Sequence, residues 1–495
     1  MRERIQKILN KLLHFFGSKY FFWVIIVLFV LQSMWIAFSS GFGMPYDESF
    51  HFGVIKIFGA QWFPFITSQP HSYDIYGNLA HGDATLFHYF MSFPYRIITA
   101  FTHNLAVQVI SLRLICIAMV AVGIALYNKL FQKIGIKRIF INFGMLIFVL
   151  LPIVIFLAAT INYDNMLLPL TALFFIVCVD IISSKKVVWT QYLWLVIIGC
   201  FASLVKYTFL PIFAIGVVYL LVVLYRRYGK NIFSKITKSF QSTDKIKRAG
   251  IISLAIITIG MFSAVYLQNI IVYRSIKPSC EKVMSEKRCA KNAVYAKYFT
   301  PKARALRSGR PLVQIPNYIT PWVLQMESWT TMMGGGGSDG LSAPLRKPLP
   351  IFFTTVFVGS FIGLLALFYA WKSLPKKPSW YFLIAMSAAL TLIVFLQNYS
   401  MYADLHVMAA IQPRYLLGII PIILVMAVVA INHILKNKIY LKVVILLIVL
   451  LLFTQGGGII TYISQSRKFW YWQNSNVINA NVTAKKIILP FVKDN

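Results

Sequence analysis

The residues best suited to chemistry are two adjacent carboxylates and a nearby histidine, in the run Asp47-Glu48-Ser49-Phe50-His51, just after the first hydrophobic stretch. Carboxylates are scarce, with 14 Asp and Glu against 48 Lys and Arg in a sequence that is 59% hydrophobic. An acid at a membrane segment is costly to place and indicates a functional site. A carboxylate in a partly dehydrated cavity has a raised pKa, which suits it to accept a proton. We therefore predict that Asp47 or Glu48 is a general base; the alternative is that both acids end the helix in water.

A second acid comes later in the chain, in the turn Asn162-Tyr163-Asp164 between two hydrophobic stretches. We predict that Asp164 closes the same cavity from a neighbouring pair of helices. Asn and Asp are also ordinary turn residues, so a purely structural turn is the alternative.

Three cations stand at or near the ends of hydrophobic stretches: Arg113, Lys206 (followed by Tyr207) and Arg414 (followed by Tyr415). Arginine binds phosphate in a bidentate manner, and such cations suit an anionic ligand at the membrane surface. We predict that these five residues contact the substrate. The alternative is that the cations snorkel to lipid headgroups or, for Arg113, pack between helices.

Histidines gather in the segment after the first hydrophobic stretch. His51 and His88 suit hydrogen bonding to a phosphate or an acid, and Asp83 is a further candidate for substrate binding. His71 and His81 are not spaced like a zinc motif, and the sequence lacks HExxH. Metal ligation by these histidines is the less favoured interpretation.

Hydrophobic stretches long enough to cross a bilayer must position these groups. A mean hydropathy of +0.71 and 16% aromatic residues exclude an ordinary soluble domain. We predict an all-α polytopic membrane protein with about eleven transmembrane helices. The first lacks a small-residue cleavage site, so we expect it to be retained. The predicted spans are 20–40, 106–127, 139–159, 164–183, 189–206, 208–225, 249–272, 350–371, 380–397, 415–435 and 439–458.

The formal net charge of +34 could suggest a nucleic-acid partner. Six short segments between the spans, however, contain 25 of the 48 Lys and Arg and only two acids, as the positive-inside rule expects. We therefore predict an internal N-terminus, an external C-terminus and contacts with membrane lipids, with no nucleic acid bound. Most acids then lie on the external side, which favours chemistry there. The six segments are 1–20, 128–138, 183–188, 226–248, 372–379 and 436–442.

The predicted organisation has three parts: a basic cytoplasmic N-terminus (1–19), a transmembrane catalytic body (20–435), and a last helix with a short external tail (436–495). The body contains two long external loops. The first, 41–105, carries the acidic motif and an amphipathic segment, 86–101, that we expect to lie along the membrane surface. The second, 273–349, contains thirteen Lys and Arg.

Three smaller patterns lie outside the spans. Cys280 and Cys289 are spaced to form a disulfide if their loop faces an oxidising compartment. The run 334–340 is rich in glycine but lacks the Lys-Ser/Thr ending of a phosphate-binding loop, so a linker is the favoured interpretation. The aromatic run 469–473 is typical of an interfacial belt.

These motifs resemble the GT-C superfamily of membrane glycosyltransferases, which use polyprenyl-phosphate-linked sugars and include protein O-mannosyltransferase and aminoarabinose transferase types. The likeness is greatest to a bacterial branch with a Pro-Asp-Glu-x-x-His-Phe opening. Here that motif stands as Pro45-Tyr46-Asp47-Glu48-Ser49-Phe50-His51-Phe52, with Tyr46 inserted. Later motifs follow in the expected order over roughly 20–435, although the family's large soluble C-terminal domain has no counterpart. These motifs are Asn162-Tyr163-Asp164, Lys206-Tyr207 and Gln412-Pro413-Arg414-Tyr415-Leu416.

The resemblance implies a glycosyltransferase at the external face of a bacterial inner or plasma membrane. Asp47 or Glu48 would deprotonate an acceptor hydroxyl, which attacks the anomeric carbon and inverts it. Arg414, Lys206 and His51 would stabilise the departing polyprenyl phosphate. The implied partners are a polyprenyl-phosphate sugar and a hydroxyl-bearing glycan, lipid or protein. A divalent metal (Mg or Mn) is optional, because the donor's single phosphate is already held in lipid.

Two other functions stay open on the sequence. A transporter or flippase of lipid-linked saccharides also needs cations for a phosphate, but it is expected to show broken helices and a repeat between its halves, and the sequence indicates neither. A polymerase or ligase of surface polysaccharide is expected to use a late external loop with Arg and His, whereas 273–349 contains no His.

Overall fold

A computed structural model of the chain describes residues 2–65, 84–290, 312–332, 348–370, 377–406, 408, 411–436 and 438–492. The described residues are helical apart from turns, short connections and one isolated antiparallel bridge between Ser40 and Tyr471. Asp83, His71, His81 and the glycine run 334–340 lie outside the described residues. The all-α fold class is confirmed.

The helices follow one another with short connections. The first fourteen are α1 (Arg2–Phe16), α2 (Lys19–Ser39), α3 (Glu48–Gly59), α4 (Leu86–Phe101), α5 (Leu105–Lys133), α6 (Arg138–Val149), α7 (Pro152–Ala158), α8 (Asp164–Ser183), α9 (Trp189–Val205), α10 (Phe209–Tyr228), α11 (Ile232–Gln241), α12 (Lys245–Tyr273), α13 (Cys280–Val283) and α14 (Glu286–Cys289). The remainder are α15 (Ile315–Thr331), α16 (Pro350–Ala370), α17 (Pro378–Leu405), α18 (Ile420–Leu435), α19 (Ile439–Phe453), α20 (Ile459–Gln465) and α21 (Ser475–Ile488). A 3-10 turn, Pro413–Leu416, precedes α18.

Seven of the described helices are long and apolar enough to cross a membrane, and a bent pair raises the number to eight. The protein is therefore a multi-pass membrane protein, although the predicted count of eleven spans is not confirmed. Two predicted spans correspond to shorter apolar helices, α9 and α18. The predicted span 139–159 corresponds to a bent pair of helices, α6 and α7, which meet at 70°. The break falls at Pro152, which has no backbone N–H to continue the helix and disfavours helical geometry in Leu151 before it.

Helix directions define two ends of the bundle. Ser18 caps the start of α2 by accepting a hydrogen bond from the Phe21 N–H, and α2 ends near Ser40. Arg113, near the start of α5, donates to the Ser40 carbonyl, so α5 begins where α2 ends. We call this the site end, because residues 40–48 lie there. Asn142, near the start of α6, donates to the Ser18 carbonyl, so α6 begins at the opposite end.

The segment after α19 folds back onto the end of α2. The Trp472 N–H donates to the Ser39 carbonyl, and the Gly41 N–H donates to the Trp470 carbonyl. Trp470 and Tyr471 are buried, so the prediction that 469–473 forms an interfacial belt is wrong for these two residues. They pack against the end of α2 instead, next to loop 41–47, and so help to fix the position of that loop.

Candidate active site

The two adjacent acids have different environments. The side chain of Glu48 is completely buried and accepts two hydrogen bonds from Arg113, at 2.8 Å from Nε and 2.7 Å from Nη2. Its oxygens also accept from the backbone N–H groups of Gly43, Met44 and Ile161. Five donors therefore satisfy this carboxylate, which leaves no lone pair for a substrate.

Arg113 is equally occupied. Besides the two bonds to Glu48, Nη1 donates to the carbonyls of Ala37 and Ser40, and Nη2 donates to the carbonyl of Gly41. These bonds use all five N–H groups of the guanidinium. The predicted substrate contact by Arg113 does not fit this geometry, because the side chain joins the end of α2 to the loop before α3. Sequence alone could not show this, since the partners are carbonyls whose position depends on helix packing.

Asp47, unlike Glu48, is partly exposed and has few hydrogen-bond partners among the described residues. Its side chain is 41% exposed, and Oδ2 lies 3.2 Å from Arg414 Nη2. Asp47 and the preceding Tyr46 both adopt left-handed backbone conformations, with φ of 68° and 70°. Such conformations cost L-residues other than glycine roughly 1–2 kcal/mol, and they cluster at functional sites. The neighbouring helix ends hold this strained turn in place.

Asp164 and Lys206 form a buried ion pair beside this turn. Lys206 follows α9 directly, and its Nζ lies 2.6 Å from Asp164 Oδ1 at the start of α8. The rings of Tyr163 and Tyr415 flank the ammonium at 4.4 and 4.8 Å. Burial lowers the pKa of Lys206 to about 8, although the Asp164 carboxylate opposes the shift. The site therefore contains an ammonium that can lose its proton slightly above neutral pH.

Arg414 connects the two acids. It stands in the 3-10 turn before α18 and is buried, and its Nε lies 4.0 Å from Asp164 Oδ2. Both of these atoms are buried and have no hydrogen-bond partner among the described residues. A buried guanidinium N–H without a partner is unfavourable, so this group is available to an incoming acceptor atom.

A narrow crevice lies beside Asp164, Lys206 and Arg414 and also touches Tyr415 and Gly418. Its volume is about 20 Å³, which is room for one water-sized group. A larger ligand therefore needs to approach from the exposed side of Asp47 or to displace neighbouring side chains. Tyr46 borders this side, with the Arg414 guanidinium 5.1 Å from its ring and Trp329 of α15 packed against it.

The two predicted histidines form a buried chain of hydrogen bonds. His51 Nδ1 lies 2.9 Å from His88 Nε2, and His51 Nε2 lies 3.2 Å from Asn162 Nδ2. Because Asn162 Oδ1 accepts from the Asp164 N–H, its amide must donate to His51 Nε2, and His51 then donates from Nδ1. Burial lowers the pKa of both rings, that of His88 to about 3. Both rings are therefore neutral near pH 7.

Tyr207 lies near the site without facing the ion pairs. Its hydroxyl accepts a hydrogen bond from Gln397, and the Lys277 ammonium lies 3.7 Å from its ring. The structure therefore brings together Asp47, His51, Asp164, Lys206, Arg414 and Tyr415, with His88 behind His51.

A divalent metal at this site would need several His, Cys, Asp or Glu side chains as ligands. No three His, Cys, Asp or Glu side chains come together among the described residues. Asp47 and Asp164 each face a cation already, at 3.2 and 2.6 Å. These two carboxylates therefore do not fit a divalent cation.

Cys280 and Cys289 are joined in a disulfide between α13 and α14, with their Cα atoms 5.9 Å apart, as the spacing predicts. Phe50 of α3 packs against this pair, which fixes the start of the second long loop close to the acidic motif.

Several residues of the site are not evident from the sequence. Asn162 positions both the Tyr46 carbonyl, at 2.8 Å, and the His51 ring. Trp329 covers Tyr46 from a helix more than two hundred residues away in the chain. The Asn-x-Asp pattern was the available signal for Asn162, whereas nothing in the sequence distinguishes Trp329 from other aromatic residues.

No protein-family model and no curated protein sequence matches this chain. Solved structures that match this chain include the following three. The crystal structure of ArnT from Cupriavidus metallidurans bound to undecaprenyl phosphate gives a TM-score of 0.46 at 12% identity, covering 96% of this chain and 72% of that protein. An oligosaccharyltransferase from Archaeoglobus fulgidus tethered to an acceptor peptide also gives 0.46 at 12% identity, covering 94% of this chain. AglB from the same organism, with an inhibitory peptide and a dolichol-phosphate, gives 0.41 at 12% identity, covering 96%.

This chain spans 55% of the length of each of the two archaeal proteins. Because all three TM-scores lie below 0.5, the similarity carries no inference about activity.

Proposed function

We propose that the protein is a GT-C-type membrane glycosyltransferase that moves a sugar from a polyprenyl-phosphate donor to a hydroxyl acceptor at the external face of the membrane. One observation carries the proposal: an accessible carboxylate on a strained turn, Asp47, adjoins the buried Arg414, whose Nε has no hydrogen-bond partner among the described residues. Arg414 in turn lies 4.0 Å from Asp164, the partner of the buried Lys206. A base next to an anion-binding group is what transfer from a sugar phosphate requires.

The base in this proposal is Asp47. Glu48 is excluded from that role because its oxygens already accept five hydrogen bonds. Asp47 is the exposed member of the pair, and its only ion-pair partner among the described residues is Arg414. When a donor phosphate engages Arg414, the carboxylate is released to accept a proton from the acceptor hydroxyl.

The phosphate-binding groups are Arg414 and Lys206. Arg414 can present Nε and Nη2 to two phosphate oxygens, since among the described residues Nε has no partner and Nη2 is held only by the exposed Asp47. Lys206 adds a second positive charge, positioned by Asp164 at 2.6 Å. Both cations are buried at helix ends, so their attraction for an anion is stronger than it would be in water.

The chemical step is a single displacement. The acceptor oxygen forms a bond to the anomeric carbon while the bond between that carbon and the phosphate oxygen breaks. The electron pair of the broken bond leaves with the polyprenyl phosphate, whose charge Arg414 and Lys206 stabilise, and the hydroxyl proton passes to Asp47. Attack opposite the leaving group inverts the anomeric centre. His51 is neutral and bonded to Asn162, so in this scheme it orients the turn that carries Asp47.

The test is a transfer assay with the purified protein in vesicles that contain radiolabelled polyprenyl-phosphate sugars and a soluble hydroxyl acceptor. We expect label to move to the acceptor, and the Arg414→Gln variant to bind donor more weakly and transfer more slowly. Movement of the intact lipid-linked sugar across the bilayer without transfer would instead identify a flippase. Elongation of a saccharide chain on its lipid would identify a polymerase.

A further inference from the structure

A second cavity lies at the end of the bundle opposite Asp47. It is a groove between α6, α18 and α19, with α1 contributing Leu13 at its edge. Its volume is about 480 Å³, which falls within the range of roughly 300–1,000 Å³ typical of ligand pockets. Its lining is apolar apart from Asn432 and three lysines, Lys137, Lys436 and Lys442.

The lining residues recur at helical spacing on three helices. In α18 they stand at positions 428, 431, 432 and 435, and in α19 at 442, 445, 446, 450 and 453. Positions three and four apart share one helix face, so each helix presents a continuous apolar stripe to the same groove. The stripe on α6 includes Phe140, Phe143 and Ile147. The groove is thus a regular feature of three packed helices.

The length of the groove corresponds to one leaflet of a bilayer. From Lys442 to Phe453 the chain of α19 rises about 16 Å, at 1.5 Å per residue. The hydrocarbon core of a bilayer is about 30 Å thick, so one leaflet contributes about 15 Å. A polyprenyl chain is longer than one leaflet, whereas the acyl chains of a phospholipid match this length.

The three lysines lie together at the outer limit of the groove. Lys137 precedes α6, Lys436 follows α18, and Lys442 is in the first turn of α19, so all three lie at the end of the bundle opposite the site end. None of them pairs with a carboxylate among the described residues. Lysine ammonium groups that lie close together repel one another, and a bound anion offsets this repulsion.

We propose that this groove binds an anionic phospholipid of the leaflet opposite the proposed active site. The acyl chains lie along the apolar stripes of α6, α18 and α19, and the phosphate of the headgroup accepts from Lys137, Lys436 and Lys442. The lipid is a structural ligand, separate from the sugar donor. Neither the site end nor its ion pairs contribute to this groove.

The experiment is native mass spectrometry of the purified full chain, titrated with phosphatidylglycerol or with phosphatidylcholine of the same acyl chains. A juxtamembrane lysine strengthens binding to anionic lipid by roughly fivefold, so replacing all three lysines should weaken binding by about a hundredfold. The test variant is therefore Lys137→Gln with Lys436→Gln and Lys442→Gln. The matched control, Lys129→Gln with Lys185→Gln and Lys186→Gln, removes the same charge at the same end of the bundle outside the groove.

A third variant, Leu446→Trp, fills the groove without changing its charge. The proposal expects one phosphatidylglycerol to bind tightly to wild type and control, weakly to the charge variant, and weakly to Leu446→Trp. Equal binding of the two lipids by wild type, or unchanged phosphatidylglycerol binding by a monodisperse charge variant, would overturn it. One-for-one displacement of the phospholipid by undecaprenyl phosphate would also overturn it, because the groove would then hold a polyprenyl chain.

Discussion

The structure makes a specific prediction about Glu48, a residue that the sequence does not distinguish from Asp47 as the candidate general base. The perturbation is Glu48→Gln, which preserves the shape of the side chain and removes its charge. The replaced carboxylate is completely buried and binds both arms of the Arg113 guanidinium. We expect this substitution to reduce stability rather than to remove a chemical group from the site.

The magnitude follows from the contacts. Breaking a buried ion pair by neutralising one partner costs about 3–5 kcal/mol, because the other charge stays buried without compensation. The Gln amide also places an NH₂ group against donors, since every hydrogen-bond partner of the Glu48 carboxylate among the described residues is a donor. The total stability of a protein is roughly 5–15 kcal/mol, so this single change removes a large fraction of it.

The assay compares Glu48→Gln with Asp47→Asn in the same membrane mimetic, measuring thermal unfolding and transfer rate per folded molecule. Glu48→Gln should unfold at a much lower temperature, and its folded fraction should keep most of the transfer activity. Asp47→Asn should unfold near the wild-type temperature, because its side chain is 41% exposed. A Glu48→Gln protein of wild-type stability that transfers no sugar would refute the reasoning and move the base to Glu48.

Three further predictions concern the site. Because burial lowers the pKa of Lys206 to about 8, the positive charge of Lys206 is lost as pH rises through that value. The KM for donor should therefore increase between about pH 7 and about pH 9. The Lys206→Arg variant should show a KM that does not depend on pH in this range. Arg414→Lys keeps the charge but loses bidentate binding, so its kcat should fall by about 10²–10³-fold with little change in unfolding temperature. An unchanged kcat would show that Arg414 does not stabilise the leaving group. Asp47→Gly should relieve about 1 kcal/mol of left-handed backbone strain and raise the unfolding temperature while abolishing transfer; a lower unfolding temperature would show that the turn is not strained.

Much of this architecture was predictable because membrane segments carry a strong compositional signal. The apolar runs predicted α2, α5, α8 and α16 to within a few residues at most of their ends, since few polar residues interrupt a segment that must lie in lipid. The amphipathic helix 86–101 was predicted with the bounds that the structure gives it. The break at Pro152 was missed because hydropathy does not register the direction of a helix.

The site was predictable in its composition but not in its geometry. Asp164, Lys206 and Arg414 stand at helix ends that the hydropathy pattern locates, so their convergence follows once those ends share one side. The different environments of Asp47 and Glu48 depend on a left-handed turn and on Arg113, which lies 65 residues beyond Glu48. A side chain's burial and its partners are tertiary properties, and sequence spacing alone does not contain them.

The most direct test of the central claim is the single-turnover rate of Asp47→Asn with saturating polyprenyl-phosphate sugar, measured alongside donor affinity. If Asp47 is the base, transfer should slow by about 10²–10⁴-fold, the contribution typical of general base catalysis, while donor affinity stays within a few-fold of wild type. The reason is that Arg414 and Lys206, which bind the phosphate in this account, are intact in the variant. A wild-type transfer rate in a folded, donor-bound Asp47→Asn protein would contradict the account.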